Sequence, residues 1–568
     1  MQPLTVFSEL KYERPDFEGA KEFYKQLNEK AKKAESFSRL QELIKEEETF
    51  SSHFSTMTVI ASVRHSVDTS DKFYEEEDMF INNAYPELMP YMLAYQLSLL
   101  KSPFKKEIDQ AYGEFLLKSI KLSVDSFNEK NIPLMQEQSE LCTRYEKIMA
   151  SCKANFDGEE RNLYGLMKYF SSPDRAQRKA AWEKYAEFFA SHETEMEEIF
   201  DRLVKIRHQM GVNMGFKDFV PLGYMLQSRL DYDEKAVAAF REQVKEVLVP
   251  FCEKLYKAQA KRIGVDKIKC YDEEFIFLDG NAVPVGDREY LVAQAQKMYH
   301  DMSAETGEFI DFMIEHELMD LDNKPNKMAS GYMTELADYK APFVFSCFNG
   351  TTGDVDVLTH EMGHAFAGYM AMRSQPLAAQ WSEPTDIAEI HSMSMEQFAY
   401  PYAELFFGEK ADEYRFQHLQ EAMTFVPFGV AVDEFQHIVY KNPELTPKER
   451  TEKWKELERK YMPWRDYDGM EQFEKGGWWY HKIHIFLYPF YYINYTLTTM
   501  GAMEFKSKAA KDKKSAWKDY MTLCKLGGSL GYLDTLKAAN LSVPFEAGSV
   551  KKATEEAISA LEKQMQNN

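Results

Sequence analysis

The sequence predicts a mainly α-helical protein with a small β-sheet, and two observations carry that expectation. Apolar residues recur at helical spacings behind helix-opening residues over much of the chain, and strand-like runs are short and lie ahead of residue 360. The first helical run, Phe17 to Thr49, is rich in Glu, Lys, Ala and Leu and carries Phe23, Leu27, Leu40 and Leu43. Ser172-Pro173-Asp174 opens a second, with Ala180, Trp182, Tyr185 and Phe189, and Asp233 to Ile263 reads similarly. Strand signals fall at Glu274 to Leu278 and at Ala341 to Phe348. The second is followed by the turn cluster Asn349-Gly350-Thr351-Thr352-Gly353-Asp354, so a strand should lead through a turn into a helix. No fixed-period repeat or low-complexity linker is evident. A chain of 568 residues is long enough to divide. The division is expected near 195, with an N-terminal helical region 1–195 and a second region 196–568 that holds the motifs described next.

The helix after that turn contains His360-Glu361-Met362-Gly363-His364. Residues four apart on an α-helix lie about 40° apart around its axis, so both imidazoles can reach one ion. Glu361 stands beside them as the carboxylate that takes a proton from an attacking water, which is the zinc-peptidase arrangement. With 13 His in the chain, such a string is expected by accident about 0.03 times. The plainer alternative is an amphipathic helix with two His on its polar face, and the strand and turn ahead of it argue against that. Gly363, Ala365, Ala367 and Gly368 keep the helix narrow. An internal Gly costs about 1 kcal/mol relative to Ala, so close packing against a second helix is the natural compensation.

Zinc held by two His needs a further protein ligand. The acidic candidates downstream are Glu383, Asp386, Glu389 and Glu396. Glu383 precedes Pro384, which reads as a helix start, whereas Glu389 and Glu396 lie seven apart on one helical face with Ser392 between them. Ala388 and Ser392 are small enough for two helices to approach. Glu389 is taken as the third ligand. Glu396 is either an acceptor for an imidazole N–H or an ordinary solvent-facing or capping Glu. His391 reads as structural.

HExxH with a Glu 25 residues after the second His, inside Glu-x-x-Ser-x-x-x-Glu, resembles the thimet oligopeptidase and oligoendopeptidase F family of zinc metallopeptidases. Phe348-Asn349-Gly350-Thr351 resembles that family's strand and turn. The stretch Gly477 to Phe486, continuing through Tyr488-Pro489-Phe490-Tyr491-Tyr492-Ile493-Asn494-Tyr495, resembles its His/Tyr-rich segment, and Gly527-Gly528-Ser529 with Pro544 resembles its C-terminal end. The likeness is specific over about residues 325 to 550 and general before that.

The resemblance implies a two-lobed helical fold, with the N-terminal region covering a deep channel that admits short unstructured peptides. It implies one zinc ion on His360, His364 and Glu389, and Glu361 as base. Tyr495 and Tyr492 would donate to the oxyanion, helped by His484, while Tyr488, His481, Phe348, Asn349 and Gly350 would line the substrate site. Tyr488, Tyr491, Tyr492 and Tyr495 cannot all face one way on a helix, and Tyr491 is expected to be the core contact. Asn494 departs from the acidic residue expected there.

Composition narrows the partners. A net charge of −23 disfavours nucleic acid and any bias of its field would favour cationic or neutral peptides. Six scattered cysteines without a CxxC read as reduced thiols of a cytoplasmic protein. Residues 1–9 lack a basic start and an apolar run, and nowhere do 18 apolar residues follow one another, so neither secretion nor a membrane partner is expected. The Asn326 to Tyr332 stretch is a loop that either touches substrate or merely connects. Two other functions compete: a peptidyl dipeptidase or carboxypeptidase of related architecture, which would need a cationic residue for the terminal carboxylate, and a silent peptide-binding protein.

Overall fold

The computed structural model describes residues 4–328 and 330–567; Met1, Gln2 and Pro3 of the amino-terminal segment and Ala329 of the 326–332 loop lie outside them. The fold is mainly helical with a small sheet. It forms two compact units, each assembled from three stretches of chain: 1–125, 283–411 and 508–541 in the first, and 126–282, 412–507 and 542–568 in the second. A boundary near 195 is therefore corrected. Residue 195 lies inside a helix of 39 residues, Arg175–Asn213, which buries Phe188, Phe189, Met196 and Ile199 on either side of it.

In chain order, the first unit begins with α1 (Phe17–Lys32) and α2 (Phe37–Val67). The single run expected from Phe17 to Thr49 breaks between them because the Ser36 hydroxyl accepts from the Arg39 N–H and caps α2. The second unit contributes a hairpin, β1 (Ala154–Phe156) and β2 (Glu159–Arg161), whose Asp157-Gly158 turn has positive φ at both residues. Its two long helices, α3 (Arg175–Asn213) and α4 (Glu234–Arg262), start as expected, with Asp174 and Asp233 each accepting two backbone N–H groups.

The strand expected at Glu274 to Leu278 does not form. The side chain of Gln259 on α4 donates to the carbonyls of Asp272, Glu273 and Phe275, Arg262 donates to Ile276, and Asn281 bridges Glu274 and Ile276. Side chains thus satisfy the groups that a neighbouring strand would otherwise have to meet.

The first unit continues with β3 (Met319–Asp320), β4 (Tyr332–Leu336) and β5 (Ala341–Phe345), then α5 (Thr352–Ser374) and α6 (Thr385–Ala399). The sheet order is β3-β5-β4, with β3 parallel and β4 antiparallel to β5. Every residue of central β5 is buried, which explains its continuous apolar run. Pro342 is tolerated there because the N–H groups of Val344 and Ser346 point to the β3 side, and β3 begins beyond the level of Pro342. α5 follows the strand through a turn, as expected, and packs against β5 and α6. A Cβ at Gly363 would stand 2.7 Å from the Ser392 Cα, so the narrow face of α5 does serve close packing of a second helix.

A further long helix, α7 (Ile493–Leu526), begins in the second unit and ends in the first, with non-helical backbone at Asp512. In the first unit its Tyr520 hydroxyl donates to the His391 carbonyl of α6. The second unit's core gathers Phe200, Leu203, Phe240, Leu248, Phe435 and Trp479, among others. Among the described residues no helix is long and apolar enough to cross a membrane.

Candidate metal centre

The start of α5 is built by its own turn. Asp354 accepts from the backbone N–H groups of Asn349 and Gly350, both at 2.8 Å, and the Asn349 side chain accepts from the N–H and hydroxyl of Thr351. Gly350 has φ +81°, which a side chain would strain. Phe348 is buried, while Asn349 and Gly350 are exposed.

Two turns into α5, the imidazoles of His360 and His364 lie with ring centroids 5.1 Å apart. Their Nε2 atoms are 3.1 and 3.3 Å from the same Glu389 oxygen on α6. One atom from each of the three residues falls within 4.8 Å of the others. The Ser392 hydroxyl donates to that Glu389 oxygen at 3.0 Å, and Glu396 engages His360 from behind through Nδ1 at 2.5 Å. Glu396 is thus the imidazole's acceptor rather than a solvent-facing residue; it is buried. With Nδ1 engaged by Glu396, His360 presents Nε2 to Glu389 and His364.

Burial opposes charge on His360, yet its hydrogen bonds to Glu389 and Glu396 outweigh that and hold its pKa well above the usual imidazole range. Burial would likewise raise Glu389, but the bonds from His360 and His364 hold it far below the usual carboxylate range. Two imidazole nitrogens and one carboxylate oxygen converging this closely are a donor set that fits a divalent transition metal such as zinc.

Glu361 is half-buried, and among the described residues its carboxylate has no hydrogen bond or ion pair. Gly331 lies alongside: a Cβ there would be 3.9 Å from Glu361 Oε1. Gly331, at the end of the 326–332 stretch, therefore reaches the site. Asp386 and His391, also on α6, are buried away from the three converging atoms; His391 faces Glu383 at 3.6 Å, in keeping with a structural role.

The His/Tyr-rich segment belongs to the second unit. His484 stands at the centre of an aromatic cluster, with the rings of Tyr488, Tyr491, Tyr492 and Tyr495 at 5.9, 5.9, 4.8 and 5.9 Å. Burial, reinforced by the Lys482 charge, lowers its pKa to about 4, so its imidazole is neutral at pH 7. His481 is lowered to about 3 in the same way; its Nδ1 bonds the Trp478 carbonyl and its ring packs between Trp478 and Phe428. That geometry makes His481 a packing residue.

The four tyrosines do not share a helix. Tyr488, Tyr491 and Tyr492 precede α7, and only Tyr495 lies within it. The chain bends at Phe490, whose φ is +62°. The bend is held by Gln436, which accepts from the Phe490 N–H, and by Arg229, which donates to the Phe490 carbonyl and to Asn494 Oδ1. Asn494 thus meets a buried Arg without carrying a charge. Gly223 makes room for the Phe490 ring, which a Cβ would meet at 2.5 Å. The expectation that Tyr491 is the core contact is corrected: the bend buries Tyr492 and leaves Tyr491 half-buried and Tyr488 exposed. Arg229, Gln436 and Lys482 were not singled out by the sequence; Pro489 was the available sign of the bend, since proline breaks a helix.

Residues 7–127 match the Peptidase M3 N-terminal domain, and residues 168–278 and 292–554 match Peptidase family M3. The chain is similar to PZ peptidase A, solved with an inhibitor, at 43% identity over 98% of this chain and 99% of that one, with a TM-score of 0.91. It is 21% identical to Oligopeptidase PepF of Bacillus subtilis (strain 168), over 94% of this chain and 82% of the relative. It shares the fold of oligoendopeptidase-F from Enterococcus faecium at 15% identity, with a TM-score of 0.59 over 97% and 98% of the two chains.

Proposed function

The chain belongs to peptidase family M3 as an oligoendopeptidase F-like metallopeptidase, and we propose that it hydrolyses internal bonds of short unstructured peptides with one zinc ion. The observation that carries this reading is the convergence of His360, His364 and Glu389 beside an unengaged Glu361 carboxylate. His360, His364 and Glu389 would hold the ion. When bound, it would supply Lewis acidity, polarising the scissile carbonyl and making water easier to deprotonate.

The chain's own groups do the rest. Glu361 takes a proton from the attacking water and returns it to the departing amine nitrogen as the C–N bond breaks. Glu396 fixes the tautomer and orientation of His360. The Tyr492 and Tyr495 hydroxyls donate to the oxyanion as it develops, with neutral His484 ordering their rings. Tyr488, Phe348, Asn349 and Gly350 contact the peptide. The scattered, unpaired cysteines support work in the cytoplasm.

The test is digestion of a quenched peptide of ten residues, free or blocked at both termini, by wild-type and Glu361→Gln protein with metal content measured. Internal cleavage of the blocked peptide, lost in the metal-loaded variant, is the expected result. Cleavage only of free-ended peptide would replace this reading with an exopeptidase, and binding without turnover would replace it with a peptide-binding protein.

A further inference from the structure

Lys482 carries a positive charge into the His484 cluster with no carboxylate to meet it. Its Nζ lies 4.2 Å from the Tyr492 ring centroid and 5.7 Å from that of Phe428. Among the described residues it makes no side-chain hydrogen bond and no ion pair. Yet the chain has 92 acidic against 69 basic residues, and comparably covered lysines are neutralised: Lys269 by Asp466 and Asp468, Lys460 by Glu242 and Glu434, Lys508 by Asp519. A ring face attracts an ammonium but does not cancel its charge. Burial pushes the Lys482 ammonium down to about 8. The same charge depresses His481 and His484, so this local field is positive in a chain whose net charge is −23.

We propose that Lys482 is a specificity residue that receives a carboxylate of the peptide substrate. The carboxylate is either the peptide's C-terminus or an acidic side chain. The Nζ has donors to spare, and the Phe428 and Tyr492 rings wall it while leaving it partly open. Peptides offer carboxylates as their natural anions, and an ammonium in a partly dry aromatic setting binds one more strongly than it would in water. The proposal rests on the reading that the His484 to Tyr495 segment faces substrate. It also runs against the field of the whole molecule, which by itself disfavours acidic peptides. A carboxylate preference is therefore not explained by net charge.

The experiment compares N-terminally blocked peptides of one sequence: a neutral amide, the same peptide with a free C-terminal carboxylate, and a series of the amide with one Gln replaced by Glu at successive positions. Wild type should cleave at least one carboxylate-bearing peptide with kcat/KM about tenfold above the neutral amide, mostly through KM. Which peptide gains identifies the source of the carboxylate. Lys482→Met should bring that ratio to about one, Lys482→Arg should keep most of it, and Lys482→Glu should push it below one. Because each ratio is taken within one protein, a general loss of activity or folding cancels. An equal ratio in wild type and Lys482→Met, or no preference in wild type, overturns the proposal. If wild type cleaves none of the peptides, the hydrolytic reading fails separately. Calorimetric titration of the same peptides into Glu361→Gln and Glu361→Gln/Lys482→Met then decides on Lys482: a carboxylate-dependent difference in Kd lost with Lys482 supports it, and equal Kd values overturn it.

Discussion

Glu396 illustrates how much of the centre depends on groups that never touch the substrate. It holds His360 through Nδ1, so Glu396→Ala should lower metal affinity by about 10- to 100-fold while Glu396→Gln, which keeps an acceptor, should lower it less. Competition with a chromogenic chelator measures both. For the proposed oxyanion donors, Tyr492→Phe and Tyr495→Phe should reduce kcat by about 10²- to 10³-fold with little change in KM, if each hydroxyl acts only in the transition state. Steady-state kinetics on one blocked peptide separates the two constants. At this scale the residues readable in the sequence were those with a spacing. His360 and His364 follow the helical period, and Glu389, Ser392 and Glu396 follow it again on the facing helix. Lys482 has no partner in the sequence pattern, and its significance is an unmet charge, which only the packed chain reveals.

Helix pairing sets the tolerance of the site. The Cβ of a Gly363→Ala variant would fall 2.7 Å from backbone of α6 and 3.0 Å from the Met395 Cβ, and neither is a flexible chain end that can swing aside. That variant should lose about 1–3 kcal/mol of stability and bind metal more weakly, because α5 carries two ligands and α6 the third. Chemical unfolding with and without added metal measures the two effects. Capped helices such as α3 and α4 were legible because Asp174 and Asp233 announce them locally. The Glu274 to Leu278 segment was not, because its apolar residues are buried by side-chain bonds from α4 rather than by strand pairing. Nor was the bend at Phe490, which depends on Arg229 and Gln436 from distant parts of the second unit.

The whole molecule stores ionisation energy in buried carboxyls. Glu458 accepts from the Tyr467 hydroxyl, and burial raises its pKa to about 7. Its folded-state pKa lies above the ordinary 4.5, so its stabilising neutral form is fully present below that value and is lost as pH rises through about 7. Glu458→Gln should therefore gain about 1–3 kcal/mol relative to wild type at pH 8 and little at pH 5, which thermal unfolding at the two pH values would reveal. Removing metal with a chelator should abolish hydrolysis yet leave the far-ultraviolet circular dichroism nearly unchanged, since each unit has a hydrophobic core of its own. The interleaving of the units was beyond local sequence reading, because contacts between segments hundreds of residues apart leave no periodic trace.

That interleaving also dictates an order of events on the ribosome. The chain changes unit five times, after residues 125, 282, 411, 507 and 541. The helices bearing His360, His364 and Glu389 emerge long before Tyr520, whose hydroxyl closes on the carbonyl of His391. Until that last stretch leaves the exit tunnel, the nascent polypeptide must carry a half-covered metal helix without its final partner, exposed to aggregation and to premature capture of the wrong ion. Maturation of the centre is thus a late, nearly post-translational act, and a chain truncated ahead of Tyr520 should fail to acquire it.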